Sequence, residues 1–431
     1  MGEDIYWQQY AARYSTSARL IPEFGLRPSE LAVCIPVYAE PSLLLTLESL
    51  LHCEHPNIRI TVFLFFNADD RMTEAEHIVH RNSWHQAREW INQHQGSTLQ
   101  FVQFERHAGP GIKWGVGWAR KIVMDEAARF LPAHGIIVCL DADCQVEENY
   151  LHEVQQYFQM HPECMSASIY FEHSLAGLSS DQLEAIITYE LHLRYLERAK
   201  QWTGHPLAGH TVGSAMAVRR AAYLKQGGMN TRQAGEDFYF LQKFKEIGGH
   251  HEIKSTAVYP SSRISHRVPF GTGRAMESLL SKGQAWRTIA FDSFRKIRPL
   301  FQQVQVLREM AANAEEGEGY VFLKNRIGLT PEGIGFLIKI DFVRQVHSII
   351  AQTSDQGSFQ KRFFRYFNAF VLIKYTHYMR EHGFPDVQVT EAVAELAEEN
   401  DWEIPPSASA LEQLKVLRSK DRYGDPPKTR D

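Results

Sequence analysis

Ile136-Ile137-Val138-Cys139-Leu140-Asp141-Ala142-Asp143 is the stretch that decides how this chain is read. A short apolar run rich in β-branched residues predicts a buried strand. It ends abruptly in two carboxylates. Residues two apart in an extended segment face the same way, so Asp141 and Asp143 are expected to point at a common spot beyond the strand end. Hard cations such as Mg²⁺ or Mn²⁺ favour such oxygen ligands, completed by phosphates and water. An isolated Asp-x-Asp is ordinarily a solvated turn, so its weight depends on what stands around it.

Upstream, the same pattern repeats. Leu31 to Val37 reads as a buried strand, Pro41 to His52 as a helix and Ile58 to Phe66 as a second strand. Ala75 to Asn92 reads as a helix, Leu99 to Phe104 as a strand and Trp118 to Phe130 as a helix. Strands alternating with helices predict βαβ units and a mostly parallel sheet. In such sheets ligands bind beyond the carboxyl ends of the strands. Those ends carry Pro36-Val37-Tyr38-Ala39-Glu40, then Asn67-Ala68-Asp69-Asp70, then Asp141-Ala142-Asp143. Carboxylates crowded into one crevice are costly without a positive partner, and a divalent cation is the economical one.

Downstream, Leu183 to Lys200 reads as a helix, Ser214 to Val218 as a strand and Asp237 to Glu246 as a helix opened by Gly235-Glu236-Asp237. Acids at a helix N-terminus complement the dipole, and a carboxylate on a rigid element also suits a general base. Gly109-Pro110-Gly111 and Gly115-Val116-Gly117 flank Lys113 and lead into Ala119-Arg120-Lys121. A glycine-rich turn entering a helix suits phosphate, but the spacing matches neither the dinucleotide fingerprint nor the P-loop. Arg263, His266, Arg267 and Arg274 gather donors in one segment, which suits gripping a diphosphate. His266 could also complete a metal shell. No Gly-x-Ser-x-Gly elbow supports serine hydrolysis.

Taken in order, these pieces resemble glycosyltransferase family 2, inverting sugar-nucleotide enzymes with a GT-A type fold. The resemblance runs over about residues 30 to 275: Val33 to Glu40, Asn67-Ala68-Asp69, Gly115 to Lys121, Asp141-Ala142-Asp143, Val212 to Arg219 and Gly235-Glu236-Asp237. It implies that Pro36, Tyr38, Glu40, Asn67 and Asp69 line the nucleotide pocket. Lys113 or Arg120 would lie near the sugar or phosphates, with Arg263 and Arg267 on the diphosphate. Asp141 and Asp143, joined by His266, would carry Mn²⁺ or Mg²⁺, with Asp141 also near the ribose. Asp237 would be the base, with Glu236 beside it. The partners implied are a UDP-, GDP- or dTDP-sugar donor and a saccharide, lipid-linked or small-molecule acceptor. Trp202 and His205 to His210 fall on the acceptor side, where Trp202 would stack on a sugar or pack in a core. Two positions depart from the pattern: Asn67, where many members have aspartate, and Lys121, where asparagine is commoner.

The chain has 431 residues and a formal charge of −5, with 44% apolar and 23% charged residues. Those values describe a globular protein and argue against a dedicated nucleic-acid binder, which would be basic. The longest apolar runs, such as Val62 to Phe66, are five residues, against the roughly 20 that a membrane helix needs. The five cysteines include no Cys-x-x-Cys pair, and the expected state is reduced and cytoplasmic. We expect an N-terminal helical arm over 1–29, a catalytic α/β domain over 30–280 and a helical region over 281–431. In the last, Phe363, Phe367, Phe370, Lys374 and His377 recur at helical spacing. That stripe reads as a packed face of one helix, Phe363 to Arg380, with peripheral membrane contact the minority reading. Two alternatives stand beside the transferase: a sugar-nucleotide nucleotidyltransferase and a non-catalytic nucleotide-binding or interaction protein. The first is disfavoured because no glycine-rich loop follows the first strand.

Overall fold

The computed structural model describes residues 4–15, 18–22, 26–109, 114–265, 271–282, 286–310, 315–405 and 407–425. Its helices and strands follow in chain order. The first half has α1 (Ile5–Tyr14), β1 (Leu31–Val37), α2 (Leu43–Leu51), β2 (Ile60–Ala68), α3 (Glu74–His94), β3 (Leu99–His107), α4 (Val116–Phe130), β4 (Ile136–Cys139), β5 (Gln145–Val146) and α5 (Tyr150–Met160). Then come β6 (Ser166–Phe171), α6 (Ser180–Trp202), β7 (Met216–Arg219), α7 (Arg220–Lys225), α8 (Glu236–Glu246), β8 (His250–Tyr259) and α9 (Thr272–Lys282).

Every residue of β2 is buried, as expected of a strand covered on both faces. It lies between β1 and β3, and all three run parallel. The sheet order is β3-β2-β1-β4-β7-β6-β8-β5. β4 continues the parallel set beside β1, β7 runs antiparallel between β4 and β6, and β6 and β8 are parallel again. This is the expected α/β architecture, a mostly parallel sheet flanked by helices. Because β7 is reversed, its amino end lies beside the carboxyl end of β4, with Met216 paired to Cys139. Gly213 and Ser214 therefore arrive at the edge where Asp141 begins.

The chain divides into two compact units. One comprises 1–182, 211–278 and 421–431; the other comprises 183–210 and 279–420. Most of α6 thus groups with the C-terminal helices rather than with the sheet. The second unit is helical, with α10 (Phe291–Gln302), α11 (Glu316–Phe322), α12 (Pro331–Lys339), α13 (Phe342–Ala351), α14 (Gln356–Tyr366), α15 (Ala369–Glu381) and α16 (Val389–Glu399). The single helix expected over Phe363 to Arg380 is two helices. Phe367 ends α14, and Asn368 caps α15 by accepting from the N–H groups of Phe370 and Val371, a favourable N-cap pairing. Phe363 and Phe367 are in the core of this unit, whereas Phe370, Lys374 and His377 are exposed. The break rotates one half of the aromatic stripe away from the other. Among the described residues no helix is long and apolar enough to cross a membrane.

The N-terminal arm docks through buried polar groups. Asp4 caps α1 by accepting from Trp7 N–H and also pairs with Arg220 at 2.6 Å. Tyr10 and Tyr223 both donate to Asp125 Oδ1 at 2.6 Å. Lys121 reaches Asp125 at 3.2 Å and donates to Tyr10 at 2.6 Å. The unusual Lys121 thus points away from Asp141, into the arm. Removing one member of a buried pair leaves the other uncompensated, at about 3–5 kcal/mol. Lys121→Met is expected to lose stability on that scale in urea unfolding; a loss below about 1 kcal/mol would show that the two tyrosine hydroxyls suffice for Asp125.

Candidate active site

Three arginines hold the carboxylates at the strand ends. Arg71 pairs with Asp69, its Nε 3.1 Å from both carboxylate oxygens, and its own N–H donates back to Asp69 Oδ1 at 3.0 Å. Burial alone would raise the Asp69 pKa, but the hydrogen bonds from Arg71 hold it below the usual value. Arg263 pairs with Glu40 and lies 3.4 Å from Asp143 Oδ2. Arg120 pairs with Glu236 and, at 2.5 Å, with Asp141 Oδ1.

Arg120 is buried in α4, and its position depends on glycines. A Cβ on Gly213 would sit 1.8 Å from Arg120 Nη1, so only glycine leaves room for the guanidinium there. A Cβ on Gly115 or Gly117 would meet the backbone of Gln233 or Arg232 at 2.4 and 2.3 Å. Gly117 N–H also donates to Arg232 O at 3.2 Å. These two glycines serve a close backbone approach rather than an open phosphate cradle. They bring the start of α4 against the segment that enters α8, so that Arg120, one turn on, reaches Glu236. Gly235 makes the entry turn itself, with φ +70°, a conformation that glycine adopts without a Cβ penalty.

The charges around Arg120 are tuned by burial. Desolvation works against the guanidinium, but Asp141, Glu236 and Asp237 outweigh it and hold its pKa above the ordinary value. Glu236 is 2% exposed, and desolvation pushes it up to about 7 despite Arg120. Desolvation also raises Asp237, against Arg120 and the N–H of Phe238, which donates to its carboxylate at 2.7 Å. Asp237 is half-buried, whereas Glu236 is closed off. Of the two, Asp237 is the one that can meet a solute.

The Asp141-Ala142-Asp143 segment is a turn rather than an extended run, with Cys144 N–H donating to Asp141 O at 3.1 Å. Its carboxylates therefore engage different arginines instead of sharing one direction. Pro36 and Tyr38 are half-buried at the end of β1, Tyr38 packing beside Ala68 and Met72. Between Tyr38 and Glu40, Ala39 takes a left-handed φ of +46°, which costs a non-glycine residue of order 1–3 kcal/mol. His80 stabilises this turn by accepting Ala39 N–H at Nδ1, 3.3 Å away. Burial keeps the His80 pKa down at about 4, so the accepting lone pair persists. Glu40 is fully buried, held by Arg263 and Ser42 N–H. Asn67 is buried at the carboxyl end of β2. Lys113, His266 and Arg267 lie outside the described residues. In the helical unit, Arg298 lies 3.7 Å over the Trp202 ring with Phe291 beside it, and buried His205 bonds to Phe367 O at 2.8 Å. Both therefore have packing partners within that unit. Sequence reading missed Arg71, whose signal was its place two residues after Asp69, and His80, which carried none.

Residues 117–268 match the model of glycosyl transferase family 21. The stretch contains Arg120, Asp141, Asp143, Gly213, Glu236, Asp237 and Arg263, and the chain is a glycosyltransferase. The family matched is 21, not the family 2 that the motif order resembles. No curated protein matches the chain. Among solved structures, TarS 1-349 of S. aureus in complex with UDP-GlcNAc is similar at 14% identity and a TM-score of 0.38, over 75% of this chain and 92% of that one. A further crystal structure of TarS 1-349 gives 14% and 0.33, over 92% of each chain.

The raised Glu236 pKa has a consequence for stability. Between about 4.5 and 7 the folded protein keeps a proton that the unfolded chain releases. The stabilisation is complete below about 4.5 and is lost as pH rises through about 7. Urea unfolding from pH 5 to 8 is expected to show wild type losing stability relative to Glu236→Gln across that window. A constant difference would remove the assignment.

Proposed function

We propose that this glycosyltransferase is metal-dependent and inverting, and moves a sugar from a nucleoside-diphosphate donor to an acceptor hydroxyl. The observation that carries the reading is the continuous chain Asp141–Arg120–Glu236, with half-buried Asp237 beside it at the start of a rigid helix.

Asp141 and Asp143 offer hard oxygen donors and are both partly exposed, so Mg²⁺ or Mn²⁺ suits them. When bound, such an ion acts as a Lewis acid on the departing nucleoside diphosphate. Arg263 is partly exposed, with contacts of 3.4 Å to Asp143 and a closer pairing to buried Glu40. Anchored by Glu40, it stands beside Asp143 where it would meet a diphosphate oxygen. Arg120 pairs through both terminal nitrogens with carboxylates and acts by position, keeping Glu236 and Asp141 in place. Asp237 accepts the proton of the acceptor hydroxyl as that oxygen attacks the anomeric carbon opposite the leaving group. Its raised pKa favours this role, since a base works best when its pKa approaches the operating pH. Pro36, Tyr38 and Asp69 line the nucleotide side. UDP, GDP and dTDP sugars are the candidate donors, and saccharide, lipid-linked or small-molecule acceptors are open.

Asp237→Asn is expected to bind donor normally and to lose about 10²–10⁴-fold in transfer; full transfer in that variant would remove the base assignment. Asp143→Ala should abolish Mn²⁺-dependent donor binding by calorimetry. Unchanged binding there would refute its metal role. The class of donor is read by acceptor-free hydrolysis of the UDP, GDP and dTDP sugars with and without EDTA. Turnover that is indifferent to EDTA would overturn the metal dependence.

A further inference from the structure

A second cluster stands at the other end of the central strands. Arg219 of β7 pairs with Ile136, the first residue of β4, and Ser166 of β6 lies beside both Val218 and His250. The turn between α5 and β6 and the first residues of β8 therefore gather at the amino end of β4, whereas Asp141 follows its carboxyl end. There, His161 Nδ1 lies 3.2 Å from Glu163 Oε1, and His251 Nε2 lies 3.9 Å from the same oxygen. One ligand atom from each residue falls within 4.8 Å of the others, and among the described residues this is the only His, Cys, Asp or Glu group of three or more so gathered.

The geometry is held from outside. The turn closes through Cys164 N–H to His161 O at 3.0 Å. Arg219 grips it with three hydrogen bonds, to Phe158 O at 3.0 Å, His161 O at 3.3 Å and Cys164 O at 3.2 Å. Tyr157 places its ring 4.4 Å from His161 and its hydroxyl 3.1 Å from His251 Nδ1. In the tautomer protonated at Nδ1, His251 donates to that hydroxyl and presents the Nε2 lone pair to Glu163. An outer partner of this kind orients metal-ligating histidines generally.

We propose that His161, Glu163 and His251 bind a divalent transition-metal ion of the zinc, nickel or cobalt class, which ties the α5–β6 turn to β8. Two imidazoles and a carboxylate converge on one point, where His161 and Glu163 share a hydrogen bond that a bound cation would replace with two ligand bonds. Imidazole ligation selects borderline ions over Mg²⁺. Bond lengths of about 2.0–2.1 Å place neighbouring tetrahedral ligands about 3.3 Å apart. The two contacts with Glu163, at 3.2 and 3.9 Å, bracket that value, and the three ligand atoms stay within 4.8 Å of one another. The three side chains leave a fourth position for water. This site is independent of the one at Asp141 and Asp143.

The test uses untagged full-length protein, stripped with EDTA and titrated with ZnCl₂ by calorimetry without donor. Wild type and Asp143→Ala are expected to take up one tight equivalent. His161→Ala and His251→Ala should bind it more than about tenfold more weakly, since even an outer-shell loss costs that much. Co²⁺ should give a visible ligand-field band in wild type that both histidine variants lose, while their metal-free melting temperature stays near that of wild type. Absence of a tight equivalent, undiminished binding in His251→Ala, or binding lost only in Asp143→Ala would each overturn the proposal.

Discussion

The guanidinium of Arg120 joins three parts of the chain that are far apart in sequence: the end of β4, the segment before β7 and the start of α8. It does so from inside the protein, 4% exposed. A charge in that position is tolerable only with opposite charges in contact. Asp141 and Glu236 supply them, and in return are fixed relative to one another. Gly213 leaves the space, and Gly115 with Gly117 allow α4 to approach the entry to α8. A contact that needs so many adjacent residues to be small or charged constrains much of the local sequence.

The same logic runs along the sheet edge. The ends of β1, β2 and β4 carry acids, and three arginines meet them: Arg71 from two residues beyond Asp69, Arg263 shared by Glu40 and Asp143, and Arg120 at Asp141. They differ in exposure and in tightness. Arg120 is closed off, and Arg263 is partly open with long contacts to Asp143. Equal residue types thus divide into a buried brace and a partly exposed group. Burial divides the adjacent acids similarly, closing off Glu236 and leaving Asp237 reachable.

The N-terminal arm shows how a departure from a motif can be read through packing. Lys121 stands where an asparagine is commoner in the resembled family, next to the arginine that faces the site. Adjacent helix positions point about 100° apart, so Lys121 turns toward the arm and completes a buried cluster with Asp125, Tyr10 and Tyr223. The residue belongs to docking of α1 rather than to the crevice.

Periodicity and strand-end chemistry were legible without coordinates. The alternating strands and helices, the acids at their carboxyl ends and the helix opened by Glu236 and Asp237 follow from spacing alone, because side-chain period and turn residues are local properties. Tertiary structure decided the rest. It turned Asp141-Ala142-Asp143 into a bend whose carboxylates meet separate arginines, assigned the glycines to backbone contact, and split the helix at Phe367 and Asn368. It also grouped residues 183–210 with the C-terminal helices and brought His251 beside His161 from 90 positions away. Each depends on which distant group occupies the neighbouring space, and a linear pattern carries local preference but not that occupancy.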